Sequence, residues 1–182
     1  RPLVSSRIGQ QIVRFLLLCF IAFSVIAEDA DPDVIYNYHK INDTLSTAGQ
    51  LLPVHVAKLQ RENFQLVINL AVADKARNLD ESYTITHAGI NYVQIPVVWD
   101  TPTLDDLDLF FSMMDARGER KTLVHCFANY RASAFTYLYR VLKEGVPEAD
   151  ARKDMMQIWS DDAFTKYPQW RAFIDKALVN GA

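Results

Sequence analysis

Short, mainly apolar stretches alternate with segments of helical periodicity from residue 35 onward. The pattern predicts buried strands over residues 64–70 and 91–95, and the second of them ends before Pro96. It predicts a third strand over residues 121–125. Strands that alternate with helices are typical of βαβ units. The pattern therefore predicts an α/β fold with three layers, in which helices flank a mostly parallel central sheet.

Four segments carry apolar residues at the spacing of an amphipathic helix. They are residues 103–118, residues 134–145, the stretch from Pro147 to Trp159, and a last stretch that contains Trp170 and Leu178. Pro53 suits a first helical position, so a further helix is predicted over residues 53–63. The Met and aromatic residues on these helical faces are predicted to pack in the core. We expect a loop with some helix over the polar residues 71–88.

Residues 1–27 are typical of a secretory signal peptide. Arg1, Arg7 and Arg14 precede an apolar run over residues 15–27, after which the chain turns acidic. This run would be about 20 Å long as a helix, which is short of the roughly 30 Å hydrocarbon core of a bilayer. We therefore expect cleavage near Glu28 and a mature domain over residues 28–182, exported to the periplasm or secreted. A retained membrane anchor is the alternative.

The charge balance narrows the choice of partners. The whole chain of 182 residues has a formal net charge of -3. Without residues 1–27, which hold three arginines and no acidic residue, the formal net charge becomes -6. Such a domain lacks the basic field that nucleic acid requires, and anionic membrane surfaces repel it weakly. We expect no nucleic-acid partner and no stable membrane association after signal cleavage.

The segment over residues 124–135 carries the candidate chemistry, because it runs from a predicted strand through a short loop into a predicted helix. Cys126 lies just before the helix N-terminus, where free backbone N–H groups and the helix dipole stabilise a thiolate and attract an anion. Arg131 adds a planar fork of donors that binds two oxygens of a phosphate. Cys126 is also the lone cysteine of the mature domain, since Cys19 lies within the signal. A small buried apolar side chain is the other interpretation of such a cysteine.

This segment resembles the signature of the cysteine-dependent phosphatases of the protein tyrosine and dual-specificity superfamily, which is His-Cys, five residues, Arg, then Ser or Thr. His125, Cys126 and Ser133 fit the signature, but Ala132 occupies the arginine position and Arg131 comes one residue early. The shorter spacing resembles that of non-classical bacterial phosphatase-like proteins and, in length, the loop of rhodanese sulfurtransferases.

Asn129 stands where the resembled signature usually has glycine, and Asn is the residue that best replaces glycine at positive φ. The resemblance to the bacterial phosphatase-like group extends over about residues 35–160. Its further landmarks are residues 45–50, 67–70, 89–92 and 95–97.

The resemblance implies a two-step displacement on phosphorus. Cys126 would attack the phosphorus atom, while Arg131 and the loop N–H groups hold the phosphate oxygens. The loop residues that would supply these N–H groups are Phe127, Ala128, Asn129 and Tyr130. Water would then hydrolyse the thiophosphate on Cys126.

The general acid of the resembled family lies on a loop before the signature strand. Asp100, within residues 98–102, takes that place in this chain, and Asp105, Asp106 and Asp108 are the alternatives. The resemblance implies that Ser133 donates a hydrogen bond to the departing thiolate, whereas a helix-start role is the alternative. His125 would orient the loop through backbone contacts, because its side chain points to the strand face opposite Cys126.

The sequence thus predicts an exported phosphatase that acts on a phosphorylated small molecule or a phosphoprotein and needs no cofactor. No metal site is expected, since His39, His55 and His87 lack the spacing of metal ligands. Two alternatives stay open. One is sulfur transfer through a persulfide on Cys126, and the other is a catalytically inactive module that binds anions.

Overall fold

The computed structural model describes Asp31 and residues 33–180. The predicted signal segment over residues 1–27 lies outside these residues, so cleavage and export stay predictions. Within residues 33–180, none of the helices combines the length and the apolar character needed to cross a bilayer.

A five-stranded sheet forms the centre of the described region. Its strands are β1 His39–Lys40, β2 Leu45–Ala48, β3 Leu66–Asn69, β4 Asn91–Gln94 and β5 Thr122–His125. They lie side by side in the order β1-β2-β5-β3-β4. All neighbouring pairs are parallel except β1 with β2. The mostly parallel α/β sheet is therefore as predicted, and the central position of β5 brings residue 126 to the middle of the carboxyl edge.

Seven α-helices occur in the described region. They are α1 Val56–Arg61, α2 Glu81–His87, α3 Leu104–Ala116, α4 Tyr130–Leu142, α5 Glu148–Met155, α6 Asp161–Lys166 and α7 Pro168–Asn180. A 3-10 turn at Pro53–His55 leads into α1. The predicted helix start at Pro53 and the short helix within residues 71–88 are thereby confirmed.

Two apolar clusters cover the two faces of the sheet. Val67 and Leu123 belong to one cluster with residues of α1 and α2, whereas Ile68 and Val124 belong to the other with residues of α3 to α7. Successive residues of β3 and β5 thus pack into opposite clusters, because side chains alternate along a strand. This arrangement gives the three layers that the sequence pattern predicts.

Two helix ends follow the predicted local chemistry. The Thr103 hydroxyl accepts a hydrogen bond from the Asp106 backbone N–H at 3.1 Å, as an N-cap does. Gly118 follows α3 with φ +58°, a left-handed conformation that costs glycine little.

Some predicted elements differ from the structure. Residues 91–95 were expected to form a buried strand, but β4 is an edge strand whose residues are exposed or half-buried, since it pairs with β3 alone. The helix predicted to reach Trp159 ends at Met155. Trp159 itself is buried and packs against Phe164 of α6, a helix that the pattern did not reveal.

His55 makes the stability of the fold depend on pH. Its side chain is 2% exposed, and Nδ1 accepts a hydrogen bond from the Leu52 backbone N–H at 3.1 Å. Burial lowers the pKa of His55 below its ordinary value of 6.5. The unfolded chain therefore binds a proton here more readily than the folded chain does, and stability that is present above about pH 6.5 is lost as the pH falls.

We predict that His55→Asn, which keeps an acceptor but does not titrate, removes this part of the pH dependence. Urea denaturation at pH 7.5 and pH 5.5 measures the free energy of unfolding of both proteins. The wild type should lose more free energy of unfolding than the variant over this interval. Equal losses would show that His55 contributes nothing to the acid sensitivity.

Candidate active site

Cys126 lies at the carboxyl edge of the sheet, directly below the N-terminus of α4. Its backbone N–H donates to the Ala48 carbonyl at 3.3 Å, which extends the pairing of β5 with β2 by one residue. The residue is 1% exposed. We call residues 126–131 the Cys126 loop; it spans the change from strand to helix.

Asn129 reverses the chain within this loop. It has φ 69° and ψ -5°, and α4 begins at the next residue. Its side-chain Nδ2 donates to the Asn37 carbonyl at 2.7 Å and to the Thr47 hydroxyl at 3.0 Å. Two hydrogen bonds from a fully buried amide thus stabilise a backbone conformation that is unfavourable for most residues other than glycine.

Two carbonyl groups of the loop are bound from outside. The Phe127 carbonyl accepts from the Gln50 N–H at 3.1 Å, and the Ala128 carbonyl accepts from Asn37 Nδ2 at 3.1 Å. In a trans peptide the N–H points opposite to the carbonyl. The Ala128 N–H therefore points away from Gln50 and toward the inside of the loop, whereas the antiparallel bridge between Gly49 and Ala128 directs the Asn129 N–H at the Ala48 carbonyl.

Several hydrogen-bond donors of the Cys126 loop and of the first turn of α4 lie in the same region. Within the described part of the chain, no acceptor is bound by the backbone N–H groups of Phe127, Ala128, Tyr130, Arg131 and Ala132. The Arg131 side chain is 5% exposed and its Nη1 donates to the Val97 carbonyl at 2.8 Å, but its buried Nε has no partner there. Because N–H groups without partners at a helix N-terminus attract anions, these groups and the buried Nε form a site that an anion would complete.

Gly49 makes the close approach of this outer support possible. A Cβ atom at Gly49 would lie 2.7 Å from Tyr36 Cδ1 and 2.9 Å from the Tyr36 carbonyl. The Gly49 N–H also donates to that carbonyl at 2.7 Å. Residue 49 therefore has no room for a side chain between Tyr36 and the Cys126 loop.

His125 contacts a carboxylate that the sequence analysis missed. Its side chain is fully buried, and Nε2 lies 2.9 Å from Glu81 Oε1, without the alignment of a hydrogen bond. Glu81 stands in the first turn of α2, where an acidic residue is ordinarily solvated and favours the helix dipole. No local signal distinguishes it, because its partners come from distant segments.

Tyr92 belongs to the same buried cluster. Burial raises the pKa of Tyr92 above its ordinary value, and the negative charge of Glu81 raises it further. The hydroxyl therefore keeps its proton at neutral pH and donates a hydrogen bond to Glu81 Oε1 at 2.9 Å.

Asp100 follows Trp99 on the loop after β4 and is exposed. Trp99 packs within 5.8 Å of the Arg131 guanidinium, and its carbonyl accepts from Trp170 Nε1 at 3.0 Å. Asp100 itself lines an open cavity of about 600 Å³ together with Lys176 of α7. Among the described residues, no hydrogen bond or ion pair joins Asp100 to the Cys126 loop, so its role as general acid stays a prediction.

The other predicted site residues have local partners. The Ser133 hydroxyl donates to the Asn129 carbonyl at 2.7 Å, within the first turn of α4. Asp105, Asp106 and Asp108 lie on α3, and the Asp106 carboxylate accepts from the Thr103 hydroxyl at 2.8 Å. The structure thus gives Ser133 a helix-start contact, while its contact with a departing thiolate stays a prediction.

No metal site accompanies this arrangement in the region that the structure covers. Over Asp31 and residues 33–180, no group of three or more His, Cys, Asp or Glu side chains is placed to hold a metal ion.

Comparison with known proteins finds phosphatases both by sequence and by structure. A candidate phosphatase of the DUF442 type from Shewanella putrefaciens CN-32 is 34% identical to the chain with a TM-score of 0.72, and the match covers 80% of this chain and 90% of that one. TpbA of P. aeruginosa, solved in complex with phosphotyrosine, has a TM-score of 0.65 at 21% identity, over 83% of this chain and 89% of that one. That second likeness is one of fold alone.

A curated relative adds sequence similarity over part of the chain. The dual specificity protein phosphatase OPG106 of Vaccinia virus (strain Western Reserve) is 35% identical over 92 residues, which are 46% of this chain and 48% of the viral protein. The chain thus spans about half the length of the curated relatives that it matches. No protein-family model matches the chain.

We predict that Gly49→Ala displaces the support of the Cys126 loop, because the new methyl group meets the Tyr36 carbonyl. The variant should lose about 1–3 kcal/mol of unfolding free energy. It should also show a smaller rise in Tm on addition of inorganic phosphate, since that rise depends on the affinity of the folded state for the ion.

Gly145→Ala is the matched control for this measurement. Gly145 has φ +67° and open space around it, and it lies beyond the far end of α4. This variant should lose about 1 kcal/mol of stability and keep the full rise in Tm with phosphate. An undiminished rise in Gly49→Ala would contradict the proposed support of the loop.

Proposed function

The chain belongs to the cysteine-dependent protein tyrosine and dual-specificity phosphatase superfamily, and we propose that it hydrolyses phosphomonoesters through a thiophosphate on Cys126. One observation carries this proposal. The Cys126 loop holds several N–H groups and the Arg131 Nε, none of which has a partner among the described residues, around a cysteine at a helix N-terminus. That arrangement suits a nucleophile which attacks a bound phosphate dianion.

In the first step the Cys126 thiolate attacks phosphorus. A sulfur–phosphorus bond forms, the bond from phosphorus to the ester oxygen breaks, and the leaving oxygen takes a proton from Asp100. The N–H groups of the loop stabilise the charge on the three remaining oxygens. In the second step water gives a proton to the Asp100 carboxylate and attacks phosphorus, the sulfur–phosphorus bond breaks, and inorganic phosphate and the thiolate are released.

Arg131 joins the anion site to the loop that carries the general acid. Its Nη1 stays on the Val97 carbonyl while Nε is free to bind a phosphate oxygen. Trp99, next to Asp100, is fixed by Trp170 and by an edge-on contact with the Tyr167 ring at 4.9 Å. These contacts fix the backbone beside Asp100 close to Arg131, and we expect the exposed carboxyl of Asp100 to reach the leaving group.

The substrate is a phosphorylated small molecule or a phosphoprotein. A cavity of about 240 Å³ opens at the same carboxyl edge of the sheet. Its lining is apolar in part and carries Lys75 and Arg77 together with the carboxylates of Asp80 and Glu81. The Arg77 guanidinium lies 3.5 Å from the centre of the Phe127 ring, so the cavity borders the Cys126 loop. This cavity is where the leaving group of the ester would lie.

Export is part of the same proposal. Residues 1–27 direct the chain out of the cytoplasm, and the lone Cys126 then works in the periplasm or outside the cell. N-terminal sequencing of the protein recovered from the periplasm of an expressing bacterium tests this step, with a start near Glu28 expected. An uncleaved N-terminus would favour the retained anchor.

We predict that Cys126→Ser abolishes release of phosphate from p-nitrophenyl phosphate, with a loss of at least about 10³-fold in kcat/KM, because the hydroxyl is not ionised at neutral pH. Glu62→Gln, which removes the surface partner of Lys58, is the control and should keep full activity. Thiosulfate with cyanide, offered separately, should yield no thiocyanate. Formation of thiocyanate that depends on Cys126 would support sulfur transfer instead, and activity in Cys126→Ser would exclude the thiophosphate.

We predict that Asp100→Asn slows the first step by about 10²–10⁴-fold for esters with poor leaving groups, and less for p-nitrophenyl phosphate. Loss of the acid should also flatten the alkaline limb of the pH profile of kcat/KM. Asp105→Asn, on the exposed first turn of α3, should leave both the rate and the profile unchanged. An unaltered profile in Asp100→Asn would remove Asp100 from the mechanism.

A further inference from the structure

The carboxylate of Glu81 is buried at the carboxyl edge of the sheet, behind the Cys126 loop. Glu81 is 9% exposed, although it occupies the first turn of a seven-residue helix on the surface of the domain. The two-step mechanism does not use it. A buried carboxylate is costly unless it is hydrogen-bonded, so its contacts indicate what it supports.

Three side chains donate hydrogen bonds to this carboxylate, and a fourth contacts it. Oε1 accepts from Asn69 Nδ2 at 3.0 Å and from the Tyr92 hydroxyl at 2.9 Å. Oε2 accepts from Gln50 Nε2 at 2.6 Å. His125 Nε2 lies 2.9 Å from Oε1. One carboxylate thus joins β3, β4, β5 and the segment that follows β2.

Two of these partners lie directly against the Cys126 loop. His125 is the residue before Cys126, and the backbone N–H of Gln50 holds the Phe127 carbonyl at 3.1 Å. That bond turns the Ala128 N–H toward the inside of the loop. Glu81 therefore contacts both His125 and Gln50, the two residues that orient the first part of the Cys126 loop.

A carboxylate suits this position better than an amide of the same shape. Ionised Glu has only acceptors, and all the aligned groups around it are donors. In Glu81→Gln one oxygen would become an NH₂ group, which would face at least one of these donors and break the contact. The substitution changes the hydrogen bonding while the volume stays the same.

We propose that Glu81 is a positioning residue of the Cys126 loop, which acts through His125 and Gln50 to keep the loop N–H groups directed at a bound phosphate. This inference rests on the proposed function for the identity of the anion. Glu81 also lines the cavity proposed for the leaving group, so its effect is measured with inorganic phosphate, which carries no leaving group, as the affinity of the folded protein for the ion.

The test is isothermal titration calorimetry of the full chain with inorganic phosphate, at a temperature where each variant is folded. Glu81→Gln should raise the Kd for phosphate about tenfold, since a small displacement of the donors weakens every contact with the ion. It should lower kcat/KM for p-nitrophenyl phosphate by at least the same factor. Glu62→Gln, which removes the surface partner of Lys58, should leave both values within twofold of wild type.

Gln50→Ala provides a second route should Glu81→Gln fail to fold. It removes the side-chain bond to Glu81 but keeps the backbone N–H that binds Phe127, and it should raise the Kd for phosphate about threefold. A lower Tm with a Kd within twofold of wild type in every folded variant would overturn the proposal, because Glu81 would then support the fold alone.

The outcome separates the inference from the proposed function. If the wild type binds phosphate but releases none from esters, the proposed function fails, and the Kd of Glu81→Gln still decides the role of Glu81. If the wild type does not bind phosphate, both fail. A tenfold rise in Kd in Glu81→Gln together with an active wild type supports both.

Discussion

The turn at Asn129 is the constraint on which the site depends. Four residues separate Cys126 from Arg131, and within them the chain must leave β5 and enter α4. Asn129 makes this turn at φ 69°, and its buried amide binds the Asn37 carbonyl and the Thr47 hydroxyl. A loop one residue shorter than the superfamily signature can therefore still place its arginine in the first helical turn.

The fold supports this loop through the carbonyl groups of Phe127 and Ala128, and most of the loop N–H groups have no partner among the described residues. Gln50 and Asn37 bind the Phe127 and Ala128 carbonyls from outside. The Ala128 N–H therefore faces the inside, while the Asn129 N–H is directed at the Ala48 carbonyl. Glu81 and Arg131 lie at the same edge of the sheet. Glu81 also contacts Gln50 in the segment after β2, and Arg131 contacts Val97 in the segment after β4. The donors are thus fixed without an anion, as the proposed phosphate site requires, since preorganised donors are a main source of electrostatic stabilisation in enzymes.

Local signals predicted the parts of the site that follow one another in the chain. The strand before Cys126, the loop, the helix after it and the tolerance of Asn129 for positive φ are all encoded within a dozen residues. Glu81 is 44 positions from His125, and an acidic residue in a first helical turn is ordinarily solvated. Its burial therefore could not be predicted from the sequence and was found only in the tertiary structure. Residues 91–95 illustrate the same limit of local sequence signals. Their composition predicts a strand, but it does not show whether a second strand pairs with it on the other side.

A crystal structure of Cys126→Ser with inorganic phosphate tests the central claim most directly, since it shows which donors the ion uses. Phosphate oxygens should lie about 3 Å from several backbone N–H groups of residues 127–132 and from Arg131 Nε, with residue 126 beneath the phosphorus atom. Phosphate bound elsewhere, or loop N–H groups directed away from the ion, would contradict it.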